Sequence, residues 1–262
     1  MIPGVDDGST SLEESLSALA NMWEQGITHV ITTPHFRASV LKQPDEFEAE
    51  MARIDESWRE LLPVVAKSLP GLRMDRGVEL ALDDPDPSVT DSRVRLAGTR
   101  FVLVEFPNFI IPPNSARPLL HLCAEGVTPI VAHPERYENL DAELAALYEW
   151  KRSGAFLQLD AGSVVGGYGP RAEGLAWLCL EAGVVDYLSS DYHARGECQA
   201  RAALLALASR EGGDAAATIL TDTNPRRMLE GLDPGQVPSL ERKRKSWWSR
   251  LRRRPVTSFI QI

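Results

Sequence analysis

The chain has 262 residues and a formal net charge of −9, enough for one large domain or two small ones with a sizeable core. No apolar run reaches the ~18 residues of a membrane span, and the N-terminus lacks the basic start and apolar core of a signal peptide, so a cytoplasmic location is expected. Residues 241–262 hold eight Lys/Arg against one acid, a local +7, which leaves −16 for residues 1–240, an acidic body that argues against nucleic-acid binding.

Ser11 followed by Glu14 has the spacing of a capping box, and Leu12, Leu16, Leu19 and Trp23 fall on one helical face until Gly26 stops the helix. A strand over Ile27–Thr32 follows. Phe47, Met51, Ile54, Trp58 and Leu61 repeat at helical spacing and predict a second amphipathic helix. The next strand is expected to end at Val78-Glu79. The alternation continues with strand Phe101–Val104, a helix near Ala116–Glu125, strand Val127–Ala132, a helix near Ala142–Arg152, and strand Ala155–Leu159. A helix over Arg171–Ala182, strand Val185–Leu188, and helices near Glu197–Ser209 and Asn224–Leu229 complete the pattern. Such alternation implies parallel strands with right-handed crossovers. Six visible strands suit a barrel lacking one member, and no G-x-G-x-x-G or P-loop pattern supports nucleotide binding.

The first helix precedes the first visible strand, where a parallel barrel would feed it from a strand this sequence lacks. Two sheet edges would then expose unpaired backbone. The N-terminus therefore reads as truncated, or its start codon as misassigned. Residues 1–234 are read as the barrel and 235–262 as a basic, disordered tail.

Metal-binding side chains occur singly after short β-branched runs: His35 in ITTPHF, Glu79 in GVEL, Glu105 in VLVEFP, His133 in IVAHPERY, and Asp191 with His193 in LSSDYH. In a barrel of alternating strands and helices, strand C-termini converge on one end face, so ligands this scattered meet there. Glu105 closes an apolar strand, where a carboxylate is costly without a cation partner. Asp191 and His193 are two apart, which puts both on one side of an extended backbone. Arg136, in the same turn as His133, offers a planar fork for phosphate. His29, inside a strand, and His121, on a helix, are assigned to packing or surface. Cys123 and Cys179 read as buried thiols. No cysteine precedes an arginine by six positions, where Pro129, Val185 and Leu204 stand instead, and this excludes the cysteine-phosphatase loop.

Together these segments, with PGVDDGS at 3–9, LQLDAGSVVGGYG at 157–169 and NPRRMLEG at 224–231, resemble the polymerase-and-histidinol-phosphatase (PHP) superfamily. Within it they resemble the manganese-dependent protein tyrosine phosphatases of bacterial capsule and exopolysaccharide operons. The resemblance implies an α/β fold, a distorted (β/α)7 TIM-like barrel of the metallo-dependent hydrolase kind, with two or three Mn2+ ions. It implies metal roles for His35, Glu79, Glu105, His133, Asp191 and His193, and phosphate binding by Arg136. A further family arginine falls on either Arg195 or Arg201. The family's D-x-H-x-H segment on its first strand is absent here. Asp160 stands where relatives often carry asparagine.

The function implied is hydrolysis of phosphotyrosine on a bacterial tyrosine autokinase that controls polysaccharide export. The other readings are a small-molecule phosphoesterase of the histidinol-phosphate type and a non-catalytic regulatory relative, the latter resting on the absent ligand pair. Mixed imidazole and carboxylate ligands equally accept zinc, iron or cobalt. The basic tail, with Trp247-Trp248, also suits peripheral contact with an anionic membrane.

Overall fold

The computed structural model describes residues 1–240 and 259–261. In chain order its elements are α1 (Leu12–Glu24), β1 (Ile27–Thr32), β2 (His35–Arg37), α2 (Pro44–Ser68), β3 (Arg73–Arg76), β4 (Glu79–Ala81), β5 (Phe101–Glu105), α3 (Ala116–Ala124) and β6 (Thr128–Ala132). There follow α4 (Ala145–Arg152), β7 (Phe156–Asp160), α5 (Ala161–Val164), α6 (Gly169–Ala182), β8 (Tyr187–Ser189), α7 (Ala200–Ala208), α8 (Gly213–Thr218), α9 (Asn224–Leu229) and β9 (Phe259–Gln261).

All strand pairs are parallel, in a three-stranded sheet ordered β3-β1-β9 and a six-stranded sheet ordered β2-β4-β5-β6-β7-β8. The central strands are buried on both faces, which is why FVLVE and TPIVA read as nearly continuous apolar runs. One face sends Val102, Val104 and Val131 into the main core with the helices. The other sends Ile31, Phe101, Leu103, Ile130 and Ala132 into a second cluster closed by Tyr187 and Met228.

The strand expected over Ile27–Thr32 is β1 at those bounds, the strand expected to end at Val78-Glu79 stops at Arg76, and a short further strand follows each. Thr33-Pro34 and Gly77-Val78 stand between, so His35 and Glu79 open β2 and β4 instead of closing a strand. The ladder still crosses the break, since Gly77 N–H donates to the Thr32 carbonyl (2.9 Å) and Glu79 N–H to the Pro34 carbonyl (3.0 Å). The break therefore re-aims side chains while the parallel pairing continues.

Helix α1 is capped by the Ser11 hydroxyl, which accepts from Glu14 N–H at 3.2 Å. The Glu14 carboxylate reaches back one residue further than a capping box requires, to the Thr10 N–H (2.6 Å). Trp150 is fully buried and donates its indole N–H to Ser115 Oγ (2.9 Å), so its polar handle is satisfied inside the core.

Cys179 and Cys198 are buried, while Cys123 is only partly so. The expected tail over 235–262 is corrected where it is described: Val237 and Leu240 join the core, and Phe259–Gln261 form β9 against β1. The expected disorder and membrane contact of the basic stretch fall on residues 241–258, outside the described residues. Among the described residues no helix is long and apolar enough to cross a membrane.

Candidate metal centre

Five of the six expected ligands and one more residue fall into two adjacent groups with donor atoms within 4.8 Å of one another: Glu79, Glu105 and His133, and Asp7, His35 and His193. The first is sunk in the sheet ends, the second faces solvent. His35, at the start of β2, joins them, with Nδ1 at 3.6 Å from Glu105 Oε1 and 4.0 Å from Glu79 Oε2. Its ring also stacks on that of His193, centroids 5.8 Å apart.

His133 takes φ +35° directly after β6, a left-handed conformation that a residue with a Cβ adopts at a cost. The turn it opens, Pro134–Arg136, aims imidazole and guanidinium at the same cavity. His133 Nε2 lies 2.9 Å from Glu79 Oε1 and 3.8 Å from Glu105 Oε2, and its buried Nδ1 has no hydrogen-bond partner.

The electrostatics follow from crowding acids and imidazoles away from water. Burial pushes the Glu105 carboxyl up, and the neighbouring Glu79 adds to it. For Glu79 itself burial pulls upward, but the hydrogen bond and charge of His133 outweigh it and hold the pKa below its ordinary value. Burial likewise opposes charge on His133, yet the bond and charge of Glu79 raise it to about 9. Buried imidazolium against carboxylate is the arrangement that a divalent cation replaces by displacing the proton. Oxygen and imidazole donors converging on one point, among them the buried Glu79 and the partly buried Glu105, fit a transition-metal ion.

Asp191 stands outside both groups. Its φ is +43°, and its carboxylate accepts from Arg136 Nη1 at 2.6 Å. Arg136 lies between two rings, 4.7 Å from the Phe109 centroid and 4.2 Å from that of Tyr168. It also reaches Asp160 Oδ2 at 3.4 Å. Burial, then the charges of Asp191 and Glu135, push the Asp160 carboxyl well above the ordinary range. Arg136, Phe109, Tyr168 and Arg195 line an open cavity of about 670 Å³ together with His35 and His193, a volume suited to a small ligand or a side chain. Of the two arginines left open by the sequence, Arg195 lines this cavity, and Arg201 lies exposed on α7.

Asp7, Phe109 and Tyr168 were not singled out by the sequence reading. Asp7 lies inside PGVDDGS and Tyr168 inside LQLDAGSVVGGYG, but nothing local ties either to a role. Phe109 follows Asn108, both with positive φ, +53° and +60°. His29 Nε2 lies 2.7 Å from Asp75 Oδ2, and His121 sits 3.6 Å from Glu125 on α3, so both stay outside the centre as expected.

The family model for capsular polysaccharide synthesis proteins, CpsB/CapC, matches residues 1–230. The chain belongs to the CpsB/CapC family. Among CpsB/CapC relatives, a tyrosine-protein phosphatase of Bacillus subtilis, YwqE, is 27% identical over 195 residues, 74% of each chain. The tyrosine-protein phosphatase CpsB of Streptococcus agalactiae is 26% identical over 196 residues, 72% of this chain and 78% of that one. A crystal structure from a study of YwqE and Streptococcus pneumoniae CpsB, described there as metal-dependent tyrosine phosphatases, superposes with a TM-score of 0.75 at 24% identity. It covers 93% of this chain and 97% of the other. The CpsB/CapC fold is thus shared over nearly the whole chain.

Proposed function

We propose that this protein is a metal-dependent protein tyrosine phosphatase of capsular or exopolysaccharide synthesis, acting on phosphotyrosine of a tyrosine autokinase. The observation that carries this reading is the placement of two imidazole–carboxylate groups beside Arg136, with the arginine and five of their six residues lining one open cavity. Its support in kinship is the CpsB/CapC membership and the tyrosine-phosphatase names of the relatives. On this reading the two sheets are parts of a distorted (β/α)7 barrel, and the bound metal is Mn2+.

Glu79, Glu105 and His133 would hold one cation and Asp7, His35 and His193 another, with Asp191, its Oδ1 3.8 Å from His193 Nδ1, a further candidate ligand. Cations bound there supply charge stabilisation for phosphoryl oxygens and lower the pKa of a nearby water toward neutrality. Arg136 binds two phosphate oxygens through its fork, a charge-assisted contact about twice as strong as a neutral one. Phe109 and Tyr168 keep the guanidinium plane fixed, and Arg195 adds positive charge at the rim. The half-exposed Tyr168 ring offers a face to an aromatic leaving group. Phenolate departs with a pKa of about 10, so the reaction depends little on a strong general acid.

The test is phosphate release from a tyrosine phosphopeptide by protein stripped of metal and titrated with Mn2+, beside His133→Ala. Metal-dependent turnover that the substitution abolishes supports the reading. Folded protein without turnover at any Mn2+ concentration overturns it in favour of a binding-only relative.

A further inference from the structure

Strand β9 lies beside β1, parallel, with Ile27 opposite Phe259 and Val30 opposite Gln261. Phe259 is buried among Leu19, Met22 and Ile27, and Ile260 and Gln261 are buried as well. On its other side the strand meets the end of β8, where Gln261 makes two hydrogen bonds. Gln261 Oε1 accepts from Ser190 N–H at 2.8 Å, and Gln261 Nε2 donates to Ser189 Oγ at 2.6 Å. A segment from the far end of the chain thus fills the place between β1 and β8, where two sheet edges would otherwise face solvent.

Both halves of the Gln261 amide are spent on the two residues that precede Asp191. Ser189 Oγ in turn lies 3.5 Å from the Asp191 N–H. Asp191 has positive φ, a conformation that persists only where the surroundings over-determine it. Its carbonyl is 2.8 Å from His193 Nδ1, and its carboxylate grips Arg136. Gln261 also lines a small cavity of about 50 Å³ together with Asp191 and His193.

We propose that Gln261 is a positioning residue: through Ser189 and Ser190 it fixes the turn that presents Asp191 and His193 to the site, so β9 supports the chemistry as well as the sheet. An amide is suited to this because it donates and accepts at once. A leucine of similar size does neither. The kinetic part of the proposal rests on the phosphatase reading, and the structural part does not.

The test uses the full chain carrying Gln261→Leu, Ser189→Ala, or both. In metal-free protein, hydrogen exchange at the Ser190 amide is expected to accelerate at least tenfold in Gln261→Leu. With Mn2+ and a tyrosine phosphopeptide, kcat is expected to fall about tenfold or more while KM stays within about twofold. Because both substitutions cut one relay, the double variant should lose little more than Gln261→Leu alone. Unchanged Ser190 exchange and unchanged kcat, even with a lower Tm, would reduce β9 to a filler and overturn the proposal, as would additive losses. If Gln261→Leu fails to fold, Ser189→Ala, which leaves β9 intact, decides: a fall in kcat supports the relay, and full activity overturns it. A wild-type chain without phosphatase activity removes the phosphatase reading, and Ser190 exchange alone then decides the positioning role.

Discussion

Arg136 and Asp191 are 55 residues apart in the chain and are joined by a 2.6 Å ion pair at the floor of the cavity. The guanidinium that is proposed to receive the phosphate is thus already held by a residue proposed to face the metal, so on that reading phosphate binding and metal binding would share one contact.

Arg136→Lys is therefore expected to be far from neutral. Lysine keeps the charge but loses the fork and the stacking between Phe109 and Tyr168. Losing a charge-assisted bond costs about 1.5–3 kcal/mol, so kcat/KM on a phosphopeptide should fall roughly ten- to a hundredfold with Tm nearly unchanged. Steady-state kinetics beside a thermal melt checks this.

The His133–Glu79 pair sets a pH dependence. His133 is raised to about 9 in the folded, metal-free protein, above the ~6.5 of an unfolded chain. Its contribution to stability is therefore fully present below about pH 6.5 and is lost as pH rises through about 9. Urea melts of metal-free protein should show the midpoint falling across that window. Mn2+ affinity should rise over the same window, because the cation displaces the imidazolium proton. A flat apo midpoint would contradict the pairing.

Tyr137 accepts from the Phe106 N–H at 2.8 Å, and both groups are buried. This bond fixes the backbone next to Glu105. Tyr137→Phe leaves that N–H without a partner and should cost about 1–3 kcal/mol in chemical denaturation. Weaker Mn2+ retention, read by calorimetry, is the expected companion effect.

Gly213 opens α8 against α7, and a Cβ built on it would stand 1.8 Å from the Leu207 carbonyl oxygen. No side-chain rotation relieves a clash with backbone. Gly213→Ala should force the two helices apart, costing upwards of ~3 kcal/mol or blocking folding, seen as loss of soluble protein or a large drop in Tm.

The convergence of His35, Glu79, Glu105, His133 and His193 was legible because charge at the end of a buried strand is expensive, so Glu105 and His133 advertise a partner without any structure. The parallel α/β alternation was legible for the same reason, since doubly buried strands leave apolar runs such as FVLV. What stayed hidden depends on long-range geometry. The breaks at Thr33-Pro34 and Gly77-Val78 leave strands of three residues, too short to carry a period. Phe109 and Tyr168 meet Arg136 across 59 sequence positions, a meeting that no local pattern encodes. Strand β9 is three residues long and follows a basic, tryptophan-bearing stretch, whose composition signalled a solvated tail rather than a strand.

The two imidazole–carboxylate groups differ in shielding: the Glu79 and His133 side chains are 3% and 5% exposed, Asp7 and His35 58% and 39%. Asp7 moreover sits on a loop, whereas Glu79 is anchored in a sheet. Cations held by the two should then have unequal residence times. A brief chelator pulse would strip the outer position and spare the inner one, yielding a half-loaded species. Total metal content would report an average of two populations, and a biphasic dissociation trace would resolve them.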